Sequence, residues 1–161
     1  MKRFLKGFAY AVAGIVHGFT ERNFRVHVCA VCFVSWFALR FYELSRGEWA
    51  ALLLTFAAVL SAELFNTSVE RLCDKVSPEK DEHIRRCKDC AAGAVLISAV
   101  IAIVIGAVLF WDTERFAAVG AYFSEAPVRF VFLGIAVTAA VLFVFLPEKF
   151  RKSNVIRRKS K

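Results

Sequence analysis

Four long apolar runs divide the chain, at residues 26–42, 49–70, 90–111 and 128–147. Each is close to the roughly 20 residues that a helix needs to cross a bilayer core. A spanning segment has no water to satisfy its backbone, so helices are the structure to expect. The first run ends near Arg40, and the second opens at Trp49 and is interrupted by Glu63, Asn66 and Glu70. The third closes at Phe110 and Trp111, and the fourth ends at Pro147. Ahead of them, residues 3–20 pattern as a surface helix. Phe4, Leu5, Phe8, Ala11, Val12 and Ile15 fall near one face, and Lys2, Arg3, Lys6 and His17 supply the polar character of an interfacial segment. The expected fold is therefore all-α and membrane-integral: an N-terminal amphipathic surface helix, three core transmembrane helices and an extra C-terminal transmembrane helix. Residues 40–48, 71–89 and 112–129 read as loops.

Composition sharpens this picture. Of 161 residues, 58% are apolar, above the about 45–50% of soluble chains. The net charge of +8 would suggest nucleic acid in a soluble protein, but here the charges are segregated by segment and no nucleic-acid motif is present. Lys and Arg number five in 1–25, two in 40–48, six in 71–89, two in 112–129 and seven in 147–161. By the positive-inside bias, both termini and the 71–89 segment face the cytoplasm. The basic tail Lys149–Lys161 suits contact with anionic lipid headgroups. The basic start runs into Gly14, His17 and Gly18 rather than a cleavable signal peptide. Two CxxC pairs, Cys29/Cys32 and Cys87/Cys90, have zinc-ligand spacing. The first pair lies in an apolar run, so small buried apolar residues are the better account.

The informative residues are the polar ones inside the runs. A carboxylate in a membrane helix costs about 2.5–3.5 kcal/mol on insertion scales. Glu63, Asn66, Glu70 and Asp74 fall within roughly an 80° arc of one helix face at about 100° per residue. Glu63 is about 21 Å along the helix from Trp49, and Glu70 about 10 Å further. With a core of about 30 Å, the stripe runs from just inside the bilayer out to water, so a lipid could reach one end and a soluble co-substrate the other. Glu21, Arg22, Asn23 and Arg25 precede the first span, and Lys88 and Asp89 precede the third. All three groups lie at one membrane face. Taken singly, Glu63 could be a hydrogen-bonded structural carboxyl, Glu21–Arg25 a surface ion pair, and Lys88–Asp89 a snorkelling cap; their shared placement argues for a site. His27 and Arg40 read as interface residues.

These blocks resemble a known family. Glu21-Arg22-Asn23-Phe24-Arg25-Val26-His27, then Ala62 to Glu70 with its ExxNxxxE spacing, then Ser77-Pro78-Glu79, then Lys88-Asp89-Cys90-Ala91-Ala92-Gly93-Ala94-Val95, look like the bacterial integral-membrane diacylglycerol kinase / undecaprenol kinase family. The resemblance covers about residues 4–111. It implies a kinase core in 1–111, with 112–161 as an added span and tail. It also implies a homotrimer in the bacterial inner membrane, with sites between subunits at the cytoplasmic face. ATP would be the co-substrate and Mg²⁺ the metal. Glu63 matches the catalytic base, and Glu21 and Glu70 the metal carboxylates. Asn66, Asp74, Lys88 and Asp89 match positions near the nucleotide, and Arg25 is expected to contact the lipid substrate. The wording ERNFRxH, NTxxE and AAGAV is nearer the undecaprenol branch. Lys80-Asp81 depart from the pattern usual near the adenine.

The expected chemistry is in-line phosphoryl transfer from ATP to a lipid hydroxyl, governed by positioning and charge neutralisation. No Walker loop is present, so side chains and the metal must hold the phosphates. Two readings from other classes compete: a small ion-coupled carrier, since intramembrane carboxylates also mark ion paths, and a non-enzymatic membrane scaffold. A carrier would need polar residues through the full membrane depth, whereas this stripe stops partway.

Overall fold

The computed structural model describes residues 2–76 and 81–145, with side chains from Phe4 onward. Six helices follow in order: α1 (Lys2–Gly18), α2 (Arg22–Phe41), α3 (Arg46–Val76), α4 (Glu82–Phe110), α5 (Thr113–Glu125) and α6 (Val128–Phe145). Helices α2, α3, α4 and α6 are long and apolar enough to cross a membrane. The all-α membrane architecture read from the sequence is the one observed.

Helix α1 keeps Phe4, Leu5, Phe8, Val12 and Ile15 exposed. Such a face needs lipid to cover it. The turn into α2 is tied by Thr20 N–H to His17 O at 2.9 Å and Glu21 N–H to Gly18 O at 2.9 Å. Gly18 allows a close approach here, since a Cβ would stand 2.6 Å from Leu64 Cδ2 on α3 and that side chain would have to shift. Glu21 takes the N-cap position of α2 but makes no side-chain cap bond, which leaves its carboxylate for another partner.

Helices α3 and α4 form a long antiparallel hairpin, the most extensive packing in the fold. A capping box starts α3: Ser45 N–H donates to Glu48 Oε2 at 2.7 Å, and Glu48 N–H to Ser45 Oγ at 3.3 Å. With 31 and 29 residues, α3 and α4 are about 46 and 43 Å long, well beyond a bilayer core of about 30 Å. The hairpin therefore projects into water at its charged end, where a loop over 71–89 was expected. The α4 side of that projection is helical because Asp81 caps it, accepting from His83 N–H at 2.7 Å and Ile84 N–H at 3.2 Å. Arg85 and Arg86 then pair with Glu82, and Arg85 with Asp89. Ser77-Pro78-Glu79 and Lys80 lie outside the described residues, as do Pro147 and the basic tail.

A second departure is α5, which occupies most of the expected loop 112–129. Asp112 caps it through Glu114 N–H at 2.9 Å and Arg115 N–H at 3.1 Å. It returns the chain so that α6 runs back along α2. Tyr42 locks this end by donating to Phe110 O at 2.7 Å.

Candidate active site

The polar stripe of α3 meets the start of α2 at one end of the bundle. Glu63 is 3% exposed, and its Oε2 lies 3.6 Å from His27 Nε2 on α2. A carboxyl buried this far along a membrane helix persists only with polar neighbours, and His27 is one. The turn-to-α2 junction brings the Glu21 carboxylate, and the next turns of α3 the Glu70 carboxylate, within electrostatic reach of Glu63.

Each outer carboxylate has its own holder. Glu21 pairs with Arg71 of α3, whose guanidinium also donates to Thr20 Oγ1 at 3.1 Å. Glu70 Oε1 accepts from Asn66 Nδ2 at 2.9 Å, one helical turn away. Asn66 is itself buried, and its Oδ1 is the one buried side-chain polar atom without a hydrogen-bond partner among the described residues. An unmatched buried acceptor costs about 1–3 kcal/mol, so this oxygen is available to an incoming donor or cation. Further out, Asp74 and Lys88 form an ion pair joining α3 to α4, and Lys88 also lies within electrostatic reach of Glu70. Asp89 instead faces back along α4 to Arg85 at 2.9 Å. Between α1 and α3 runs a cleft of about 310 Å³, bounded by Gly14, Gly18, Leu64, Thr67 and Arg71.

Arg25 is 3% exposed. Its Nη1 donates to Phe19 O at 3.0 Å and Thr20 O at 3.1 Å; its Nε and Nη2 donate to Val144 O at 3.2 and 2.7 Å. Val144 belongs to the last described turn of α6. One side chain thus fastens the α1–α2 turn to the end of the added helix.

The chain matches the prokaryotic diacylglycerol kinase family over residues 9–110. It belongs to that family. It is 38% identical over 111 residues to the undecaprenol kinase of Bacillus subtilis (strain 168), a match covering 68% of this chain and 89% of that protein. It is 39% identical over 108 residues to a diacylglycerol kinase of Synechocystis, covering 65% of this chain and 61% of that one. Over a shorter stretch of 54 residues it is 32% identical to the diacylglycerol kinase of Escherichia coli K12, covering 34% of this chain and 44% of that protein. No solved structure matches the chain. As a member of the family the chain is a multi-pass membrane lipid kinase with ATP as its co-substrate, and nothing favours the carrier or scaffold readings. The family match includes every candidate site residue and stops before α5 and α6.

Within this kinase the structure adds two residues that pattern reading passed over. His27 read as an interface residue, yet it stands against Glu63. Arg71 read only as one of the basic residues at the cytoplasmic face, yet it holds Glu21 from 50 positions away. The signal for His27 was its place in the ERNFRxH block; nothing local pointed to the partner of Arg71.

Proposed function

We propose that the chain transfers the γ-phosphate of ATP to the hydroxyl of undecaprenol, giving undecaprenyl phosphate, with diacylglycerol as the second acceptor, giving phosphatidate. The observation that carries this reading is the buried Glu63 carboxyl at the membrane edge, flanked by two more carboxylates that face water. The match to 89% of the Bacillus subtilis undecaprenol kinase supports undecaprenol first; the Synechocystis match supports diacylglycerol.

In the proposed reaction Glu63 accepts the hydroxyl proton as the lipid oxygen forms its bond to phosphorus. The bond from the γ-phosphorus to the bridging oxygen breaks, and ADP leaves with that oxygen. His27 orients Glu63. The cleft between α1 and α3 admits the lipid headgroup, and Arg25 serves substrate binding by ordering the turn that carries Glu21. Lys88 neutralises phosphate charge, with Asn66, Asp74 and Asp89 beside the nucleotide.

The residues fit Mg²⁺. No group of three or more His, Cys, Asp or Glu forms a protein cage among the described residues. Mg²⁺ is ordinarily held by one or two carboxylates plus substrate phosphates, and Glu21 and Glu70, with the unpartnered Asn66 oxygen nearby, are such a set. When bound, the ion would neutralise charge on the ATP phosphates.

The exposed apolar length of α4, none of which is buried in one chain, supports a homotrimer in which neighbouring copies cover it and complete the site. The Lys and Arg distribution supports both termini and the site at the cytoplasmic face of the inner membrane, with anionic headgroups against the basic segments. The limits of the family match support a kinase core over 1–111 and an added unit over 112–161.

The test is transfer of labelled phosphate from ATP to undecaprenol and to diacylglycerol presented separately in detergent. Labelled undecaprenyl phosphate as the faster product is expected. Labelling of neither lipid overturns the reading, and faster labelling of diacylglycerol reverses the order of acceptors.

A further inference from the structure

Helix α2 is tied to the added unit at both ends, to α6 at one and to α5 at the other. At the active-site end Arg25 binds Val144 O. At the other end Phe41 packs edge-on against Tyr122 of α5 at 5.3 Å. Between these ties lies an open groove of about 670 Å³, within the range of ligand pockets. Its walls are apolar and largely aromatic, with a run of small residues, Cys29 and Cys32 on α2 and Ala136 and Ala140 on α6, along part of its length. Small side chains on membrane helices ordinarily let two backbones close together. Here they face unfilled space, which in a bilayer takes a hydrocarbon chain.

The mouth of the groove is cationic. Arg129 lines it, with its guanidinium carbon 4.0 Å from the Tyr122 ring centroid, and Arg40 stacks on the same ring at 4.2 Å. The two cations are therefore no more than about 8 Å apart, sharing the Tyr122 ring as a partner, and Arg129 also donates to Tyr122 O, so the mouth concentrates positive charge that suits an anion. Arg129 has Glu125 at 3.8 Å, but that carboxylate is 72% exposed, where such a pair contributes little. Arg40 pairs with no carboxylate among the described residues. The mouth lies about 20 Å along α2 from His27, in the opposite leaflet from Glu63, so its occupant is not the phosphoryl acceptor.

We propose that this groove is a binding site for an anionic phospholipid of the leaflet opposite the active site, one acyl chain lying between α2 and α6 and the phosphate forked by Arg40 and Arg129. Guanidinium groups suit that phosphate because they donate two parallel hydrogen bonds. The bound lipid fills the gap and fastens the added helix, which the kinase family match does not include, to the kinase core. The proposal does not depend on which lipid the active site phosphorylates.

The experiment is native mass spectrometry and thermal melting of the full chain in detergent with added phosphatidylglycerol or phosphatidylcholine. Phosphatidylglycerol should give retained adducts, bind about tenfold more tightly than phosphatidylcholine, and raise the melting temperature. Arg40→Gln with Arg129→Gln should remove that preference while kinase turnover persists as the sign of an intact fold. Ala136→Phe with Ala140→Phe, which fills the groove, should remove retention of both lipids. Equal binding of the two lipids by the unaltered chain would overturn the proposal, as would a full preference surviving in the double arginine variant. Equal competition by glycerol phosphate would also overturn it, by showing an anion site with no chain. Loss of the oligomer in the groove-filling variant, with no lipid adduct on the unaltered chain, would assign the groove to a second copy.

Discussion

The kinase core and the added C-terminal unit are held by opposite means. In α2 and α3 the buried residues include Thr55, Glu63 and Asn66, as well as Arg25, which ties the core to α6, whereas α5 and α6 bury only Val144 among the described residues. The core accepts the cost of buried polar groups because Glu63 and Asn66 have polar neighbours in His27 and Glu70 at one end, and Thr55 bonds back to Ala51 O of its own helix. The added unit is attached at its two extremities, by guanidinium–carbonyl bonds at one and by arginine–aromatic stacking at the other. In lipid, apolar burial gives no drive to associate, so helices stay together through polar contacts and close packing. Loss of a core polar group should therefore abolish chemistry with little change in fold, while loss of a tie to α6 should change stability more than chemistry.

The sharpest way to break that contrast is Glu63→Gln. It keeps size and polarity and removes the proton acceptor, so turnover should fall by about 10²–10⁴-fold with an unchanged melting temperature. Phosphate transfer by the purified variant at the unaltered rate would remove Glu63 from the chemistry. Next, Arg71→Gln releases Glu21 from its holder. The KM for ATP should rise by roughly tenfold, near the 1.4 kcal/mol that one charge-assisted bond is worth, while the KM for the lipid stays put. A rise confined to the lipid would place Arg71 at the cleft rather than behind the metal carboxylate.

Arg25→Gln tests the added unit. It removes the bonds to Val144 O and should destabilise by about 1.5–3 kcal/mol, read as a lower melting temperature. Cys29 and Cys32 in the groove should also react faster with a maleimide. A melting temperature matching the unaltered chain would show that α6 does not rely on this tie. The smallest effect is expected from Gly18→Ala, whose Cβ would press on Leu64 Cδ2. That atom ends a flexible side chain beside Glu63, so a loss of about 1 kcal/mol with a severalfold drop in turnover is expected. A drop in stability with full turnover would mean Leu64 yields without disturbing its neighbour.

Much of the site was legible in the chain because a helix converts spacing into a face. The offsets of Glu63, Asn66, Glu70 and Asp74 place them on one stripe whatever surrounds it, and the Lys and Arg bias puts Glu21 and Lys88 at the same membrane side without naming their partners. The Glu63–His27 contact was less legible, since the azimuth of α2 against α3 depends on packing. The extra helical length at 71–76 and 82–89 was hidden because charged residues read as loop, although Asp81 and the Glu82–Arg85–Arg86 spacing are capping and pairing signals. The same holds for α5, where Asp112 caps a segment too polar to read as a span.

The arrangement of apolar runs by itself determined that this chain crosses the bilayer on four helices with a surface helix ahead of them, because a backbone in hydrocarbon has no other way to satisfy its own hydrogen bonds. It determined as well which carboxylates share a helix face. Only the tertiary structure decided that Arg71 holds Glu21, that Arg25 binds the end of α6, and that α2 and α6 enclose a groove with two arginines at its mouth. Those are contacts between residues from 50 to 119 positions apart, set by how helices rotate and cross, and helical periodicity carries no record of either.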